Sequence, residues 1–257
     1  MNKINQLFKT NPKNILSVYF CAGHPELEKT AEIIHVLEKN GISMIEIGIP
    51  FSDPMADGVV IQNASAKALY NGICLNLLFE QLRDIRREVK IPLLLMGYLN
   101  PIMQYGFESF CRKCSECGID GMIIPDLPFK EYREHYQSIA RQYDLHVIML
   151  ITPETSEERI REIDKNTGGF IYMVSSAATT GAQQDFDEQK QTYFKKTGNM
   201  SLQNPLMVGF GISNRTTFEA ACRYASGGIV GSRFISLLEE EKDTERAVKK
   251  LLDGLGK

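Results

Sequence analysis

Apolar runs rich in β-branched residues alternate with runs of helical period along the whole chain, and few folds accept that pattern. The strand candidates fall at residues 15–21, 44–49, 91–98, 121–124, 146–151, 170–175, 206–210 and 228–231, and each is followed by a helix candidate. Over residues 25–38, Leu27, Ala31, Ile34 and Leu37 recur about one turn apart, and Asn40-Gly41 then supplies a stop. Ala247, Val248, Leu251 and Leu252 draw the same stripe near the end, and a short extra helix over residues 2–8 precedes the first strand. Strand–helix units of this kind, repeated eight times in 257 residues, predict a (β/α)8 TIM barrel, which typically takes about 250 residues. A doubly wound open sheet is the alternative, but its GxGxxG fingerprint does not follow the first strand. Length alone would also admit two small domains. No linker, low-complexity tract or composition break divides the chain, so residues 1–257 are expected to form one barrel domain.

A formal net charge of -3 gives no electrostatic case for nucleic acid or an anionic membrane. No apolar run is long enough to cross a bilayer, and the first residues lack the apolar core of a secretory signal, so a cytoplasmic location is expected. The 6 cysteines are expected as free thiols. Cys111, Cys114 and Cys117 form a CxxCxxC run. It reads either as one broad helix face packed on the barrel or as part of an iron–sulfur ligand set, although no fourth cysteine followed by proline lies nearby.

The strand ends differ from the rest of the chain. They read Ala22-Gly23, Gly48-Ile49-Pro50, Tyr98-Leu99-Asn100, Pro125-Asp126, Thr152-Pro153, Ser175-Ser176, Gly209-Phe210-Gly211 and Gly231-Ser232. Small, polar and turn-forming residues there mark the face on which barrels build active sites. Glu46 interrupts the apolar run Met44–Ile49, and alternation puts it with Met44 and Gly48 on the face opposite Ile45 and Ile47. Both faces of a barrel strand are covered, so this carboxylate is expected in the barrel mouth, where desolvation raises its pKa and suits it to proton transfer. The competing reading is a structural Glu paired with Lys or Arg. Asp57 follows in a turn-rich loop just before the next helix. It reads either as an N-cap or as the second member of an acid–base pair with Glu46.

Gly209-Phe210-Gly211 and Gly231-Ser232 stand after strands seven and eight, where barrels commonly seat a phosphate on backbone N–H groups and a helix N-terminus. Each glycine alone reads equally as a tight turn. None of the strand ends carries the lysine of a Schiff-base aldolase, Lys130 lying beyond Pro128 in a helix. His24, His35, His135 and His146 are scattered rather than clustered, so no metal site is expected. Proton transfer by carboxylates on a phosphorylated substrate remains.

The segment IEIGIPFSDPMADGVVIQNASAKAL (45–69) resembles the signature of the tryptophan synthase alpha chain family, and the likeness extends to LMGYLNPI (95–102), GIDGMIIPDLP (118–128), the Tyr172 strand, GFGIS (209–213) and Gly231-Ser232. The resemblance implies a carbon–carbon lyase of tryptophan biosynthesis that splits indole-3-glycerol phosphate into indole and glyceraldehyde 3-phosphate. By the same resemblance Glu46 is the catalytic acid–base acting on the indole carbon C3, and Asp57 holds the indole N–H. Tyr172 and Thr180 match the family's strand-six tyrosine and loop threonine. Gly181, Gly211, Gly231 and Ser232 would hold the phosphate. Tyr19, Ile61, Met96, Tyr98, Leu127 and Phe210 would line the indole pocket, Met96 being equally readable as core.

The family likeness also implies that the chain itself carries no cofactor. Its partner is a pyridoxal-phosphate beta chain in an alpha2-beta2 assembly, faced by Asp53, Pro54, Asn100 and Pro128. The chain departs from the family where SRxGVTG is common after strand six: Ser176 stands for the arginine and Ala178 for the first glycine. Val59 replaces a frequent proline and His24 a frequent aspartate. Two other readings stay open: a stand-alone lyase releasing free indole, and a catalytically weak allosteric subunit of a beta chain.

Overall fold

The computed structural model describes residues 1–175 and 186–257. Parallel strands β1 (Ile15–Cys21), β2 (Met44–Gly48), β3 (Leu93–Met96), β4 (Gly121–Ile123), β5 (His146–Ile151), β6 (Ile171–Val174), β7 (Leu206–Gly209) and β8 (Gly227–Val230) close in sequence order into a barrel. The closing pair is β1 with β8, where Ser17 lies opposite Ile229. The expected (β/α)8 fold is therefore the observed one, and the open sheet is excluded. The strands are buried almost throughout, as a sheet covered on both faces requires.

Helix Lys3–Thr10 covers the bottom of the barrel, and fully buried Ile4 sits where a side chain on Gly121 would collide with it. Asn2 both caps that helix through Ile4 N–H and donates to the carbonyls of Asp120 and Asp144, at 2.7 and 2.8 Å. Nearby, Arg86 pairs with Asp120, whose carboxylate also accepts from Leu93 N–H. His146 opens β5 at this bottom end, far from the strand ends where a metal cluster would form.

The second helix begins later than its apolar stripe predicts, at Lys29 rather than near Pro25. The carbonyls that would open it are occupied: Asn71 donates to Gly23 and Pro25, and Gln81 to Leu27. Side chains of the following unit thus hold the loop as turns. The final helix, Thr244–Leu255, buries Ala247, Val248 and Leu251 as its stripe predicts. Cys111 and Cys114 lie buried on helix Phe107–Glu116, with Cys117 at its end donating to the Phe79 carbonyl. Burial pushes all three thiols up in pKa, as for cysteines serving as core. No helix of the described residues is long and apolar enough to cross a membrane.

Candidate active site

The register of β1 to β3 sets Tyr19, Glu46 and Leu94 side by side in one row, with Cys21, Gly48 and Met96 in the row above. Alternation turns all of these to the barrel interior. Glu46 is wholly buried, and its Oε1 accepts from Ser17 Oγ at 2.8 Å. Its partner is thus a hydroxyl, not the Lys or Arg of the structural alternative. The other oxygen, Oε2, is buried without a hydrogen-bond partner among the described residues. Desolvation pushes the Glu46 carboxyl up to about 8, the Ser17 bond acting in the opposite direction.

Two glycines at the strand ends make room for two tyrosines. A methyl group on Gly48 would come within 2.2 Å of the Tyr19 hydroxyl, and one on Gly209 within 2.2 Å of the Tyr172 ring. The spare space on the Gly48 face is therefore filled by an aromatic ring from the neighbouring strand. Tyr19 and Tyr172 are buried, and burial holds both phenols protonated.

Asp57 is not the cap of the next helix. Gly58 occupies that position before Val59–Tyr70, and the Asp57 carboxylate points elsewhere. Tyr98 donates to Asp57 Oδ2 at 2.9 Å and accepts from Ala56 N–H at 3.0 Å, clasping the loop through one hydroxyl. Oδ1 is buried and has no hydrogen-bond partner among the described residues. Burial raises the Asp57 carboxyl to about 6, with the Tyr98 bond opposing. Two carboxyls thus have one free oxygen each and different proton affinities.

Asp57, Tyr19, Ile61, Met96 and Tyr172 line one cleft at the top of the barrel, together with Phe210, Gly211, Gly231 and Ser232. Met96 is both core and pocket wall. At one end of the cleft Phe210 and Gly211 follow each other in left-handed backbone, with φ of +67° and +82°. Ser175 Oγ donates to the Phe210 carbonyl at 2.8 Å and fixes this turn. Gly231 precedes helix Ser232–Glu241 and has no side chain to cap it, so the first N–H groups of that helix open toward the cleft end where Ser232 stands.

Three expected site residues stand outside the cleft wall. Glu46 lies beneath it, in the row of Tyr19. Tyr98 backs Asp57, and Leu127 is buried beyond the wall in the loop after β4. Thr180 and Gly181, with the departures at Ser176 and Ala178, fall outside the described residues. Ile212, Ile229 and Arg233 line the cleft without having been singled out in the sequence, and Ser17 was likewise missed. A serine inside an otherwise apolar, fully buried strand was the available signal for Ser17. Arg233 directly follows Gly231-Ser232 and is the one cation among the described lining residues. Its guanidinium meets Glu240 at 3.5 Å, and both side chains are substantially exposed, so this pair binds it weakly.

A cleft lined by Asp57, with Glu46 beneath its wall, apolar sides and the start of helix Ser232–Glu241 at one end suits proton transfer on a phosphate ester that carries an aromatic ring. Comparison with known proteins agrees. The family model for the tryptophan synthase alpha chain matches residues 5–255. The tryptophan synthase alpha chain of Bacteroides thetaiotaomicron is 71% identical over 255 residues, covering 99% of this chain and 100% of that one. The Bacteroides fragilis counterpart is 71% identical over 251 residues, covering 98% of this chain and 95% of that one. The crystal structure of the Legionella pneumophila subunit alpha superposes with a TM-score of 0.89 at 36% identity, covering 99% of this chain and 97% of that one. A fold matched end to end and identity at this level over nearly all residues leave one assignment: the chain belongs to the tryptophan synthase alpha chain family.

Proposed function

We propose that Glu46 and Asp57 carry the family's reaction in this chain as a proton-transfer pair, with the substrate phosphate seated on Gly211, Gly231 and Ser232. The reaction is the retro-aldol cleavage of indole-3-glycerol phosphate to indole and glyceraldehyde 3-phosphate. The carbon–carbon bond breaks once C3 of the indole is tetrahedral, because its electrons then have a C=N bond to flow into. Glu46 delivers the proton to C3. Asp57 accepts the indole N–H, draws the ring into the indolenine form, and returns the proton to nitrogen as the bond breaks. The glycerol hydroxyl on the departing carbon gives up its proton as the aldehyde forms, and Glu46, now ionised, takes it. Protons balance and both carboxyls return to their starting state.

One observation carries this reading: the two carboxyls sit in different environments, Glu46 wholly buried with the Ser17 hydroxyl on one oxygen and Asp57 clasped by the Tyr98 hydroxyl, and burial raises Glu46 further than Asp57. Tyr19, Ile61, Met96, Tyr172 and Phe210 are read as the walls of the indole pocket, and Tyr98 as the clasp that aims Asp57. Leu127 is read as support behind that wall. Thr180 and Gly181 are assigned to the substrate by the family match alone. Arg233 adds a positive charge where a phosphate dianion must share a cleft with a carboxylate.

The pH dependence tests the pair. Asp57 must be ionised, so activity falls as pH drops through about 6. Glu46 must be protonated, so activity falls as pH rises through about 8. Indole release measured as kcat/KM across pH should be bell-shaped with its plateau between these limbs. A profile rising without an alkaline limb would reject Glu46 as the acid.

The chain is an alpha subunit by family, and we read its partner as a beta chain that carries pyridoxal phosphate and consumes the indole in an alpha2-beta2 assembly. Exposed Asp53 and half-buried Pro54 lie on the loop after β2, exposed Asn100 in the first turn of helix Leu99–Tyr105 after β3, and exposed Pro128 after β4, where the family match implies the partner. Mixing the chain with its cognate beta chain should yield a heterotetramer by light scattering and raise cleavage by about tenfold, or roughly 1.4 kcal/mol. Rapid cleavage by the isolated chain, unchanged by the partner, would favour the stand-alone lyase.

A further inference from the structure

Ser17 is the one aliphatic hydroxyl in β1, a strand with every residue buried. A strand interior favours β-branched and aromatic residues, and a buried hydroxyl destabilises unless it is hydrogen-bonded. The hydroxyl of Ser17 meets Glu46 Oε1 at 2.8 Å, both residues being 0% exposed. The bond spans adjacent strands diagonally, since Ser17 is in register with Met44 and Glu46 with Tyr19. Ser17 is thus placed one row below the cleft wall and reaches up to the carboxyl.

We propose that Ser17 is a positioning residue for the cleavage reaction, anchoring one oxygen of Glu46 so that the proton travels on the other. The proposal rests on Glu46 being the proton donor. A carboxyl in an apolar cavity can rotate and can carry its proton on either oxygen. Because Ser17 donates to Oε1, that oxygen is the acceptor, and the proton resides on the unpartnered Oε2. When the proton leaves for C3, a negative charge is uncovered in a dry site. Among the described residues, the groups beside it are Tyr19 from β1 and Leu94 from β3, in its own row, and Tyr172 from β6, whose phenol feels its charge. None of these is a cation. The Ser17 hydroxyl is the donor that meets the new carboxylate, so its contribution is greatest at the step where charge develops.

The test is Ser17→Ala, with Ser17→Thr as the conservative variant that keeps a hydroxyl on the same carbon. Ser17→Ala should lower kcat by about ten- to hundredfold, the range for a hydrogen bond to a charged group, and leave KM within about twofold. Losing a donor to the carboxylate favours the protonated form, so the alkaline limb of the pH profile should move upward. Ser17→Thr should restore both the rate and the limb. A role confined to packing would lower the melting temperature and leave the limb in place. Ser17→Ala with wild-type kcat and an unmoved limb, beside an inactive Glu46→Gln, overturns the positioning role alone. A Glu46→Gln enzyme that still turns over normally overturns the reading of Glu46, and this proposal with it.

Discussion

Glu46→Gln should bind glycerol phosphate as the wild type does and release indole at a rate lower by roughly 10²–10⁴-fold, the loss typical of a missing general acid–base. The substitution is unusually clean at this site. Burial pushes the Glu46 carboxyl up to about 8 and so favours the uncharged form. The amide replaces a neutral acid of the same shape, and its carbonyl oxygen accepts from Ser17 as Oε1 does now. Folding should therefore be little disturbed, whereas an ionised, paired glutamate would leave a stranded cation behind. What the amide cannot do is part with a proton. Steady-state indole release and calorimetric titration with glycerol phosphate separate the two effects. Near-normal turnover would show that another group protonates C3.

Glu46 was legible in the sequence because a strand covered on both faces has nowhere to put a solvated carboxylate. The barrel was legible for a related reason: alternation of period two with the helical period repeats around a closed sheet. Asp57 was ambiguous, since an aspartate before a helix satisfies the pattern of a cap as well as that of an acid. Only Tyr98, distant in sequence, decides between them by holding the carboxylate away from the helix. Tyr98 itself was read as pocket wall because an aromatic at a strand end gives no sign of whether its ring or its hydroxyl is in use. The loop before Lys29 shows the same limit. Its apolar stripe fits a helix, but Asn71 and Gln81 take its carbonyls from outside. Gly209 reads as a turn former and Gly48 as spare room on its strand face, and that Tyr172 and Tyr19 fill those hollows depends on the register between strands.

Gly211→Asp should abolish measurable binding of glycerol phosphate while circular dichroism keeps its barrel signature. Two effects act together. Gly211 has φ +82°, a backbone conformation that costs an L-residue about 1–2 kcal/mol. That strain falls on a loop and not on a strand, so the barrel should survive it. The larger effect is electrostatic. A phosphate dianion settling against backbone N–H groups would meet a new carboxylate within a few ångströms, in a cleft that already holds Asp57. Arg233, which lines the same cleft, supplies a cation to offset the repulsion. Gly211→Ala separates the contributions, because it carries the strain without the charge and should weaken binding only modestly. Arg233→Gln should also weaken binding, more at low salt than at high salt, since an exposed charge is screened. Indole discriminates further: it has no phosphate, so its affinity for the apolar wall should change little in the aspartate variant. If calorimetry finds glycerol phosphate bound to Gly211→Asp as tightly as to the wild type, the phosphate does not sit at this turn, and the uncapped helix at Ser232 must be supplied with some other anion.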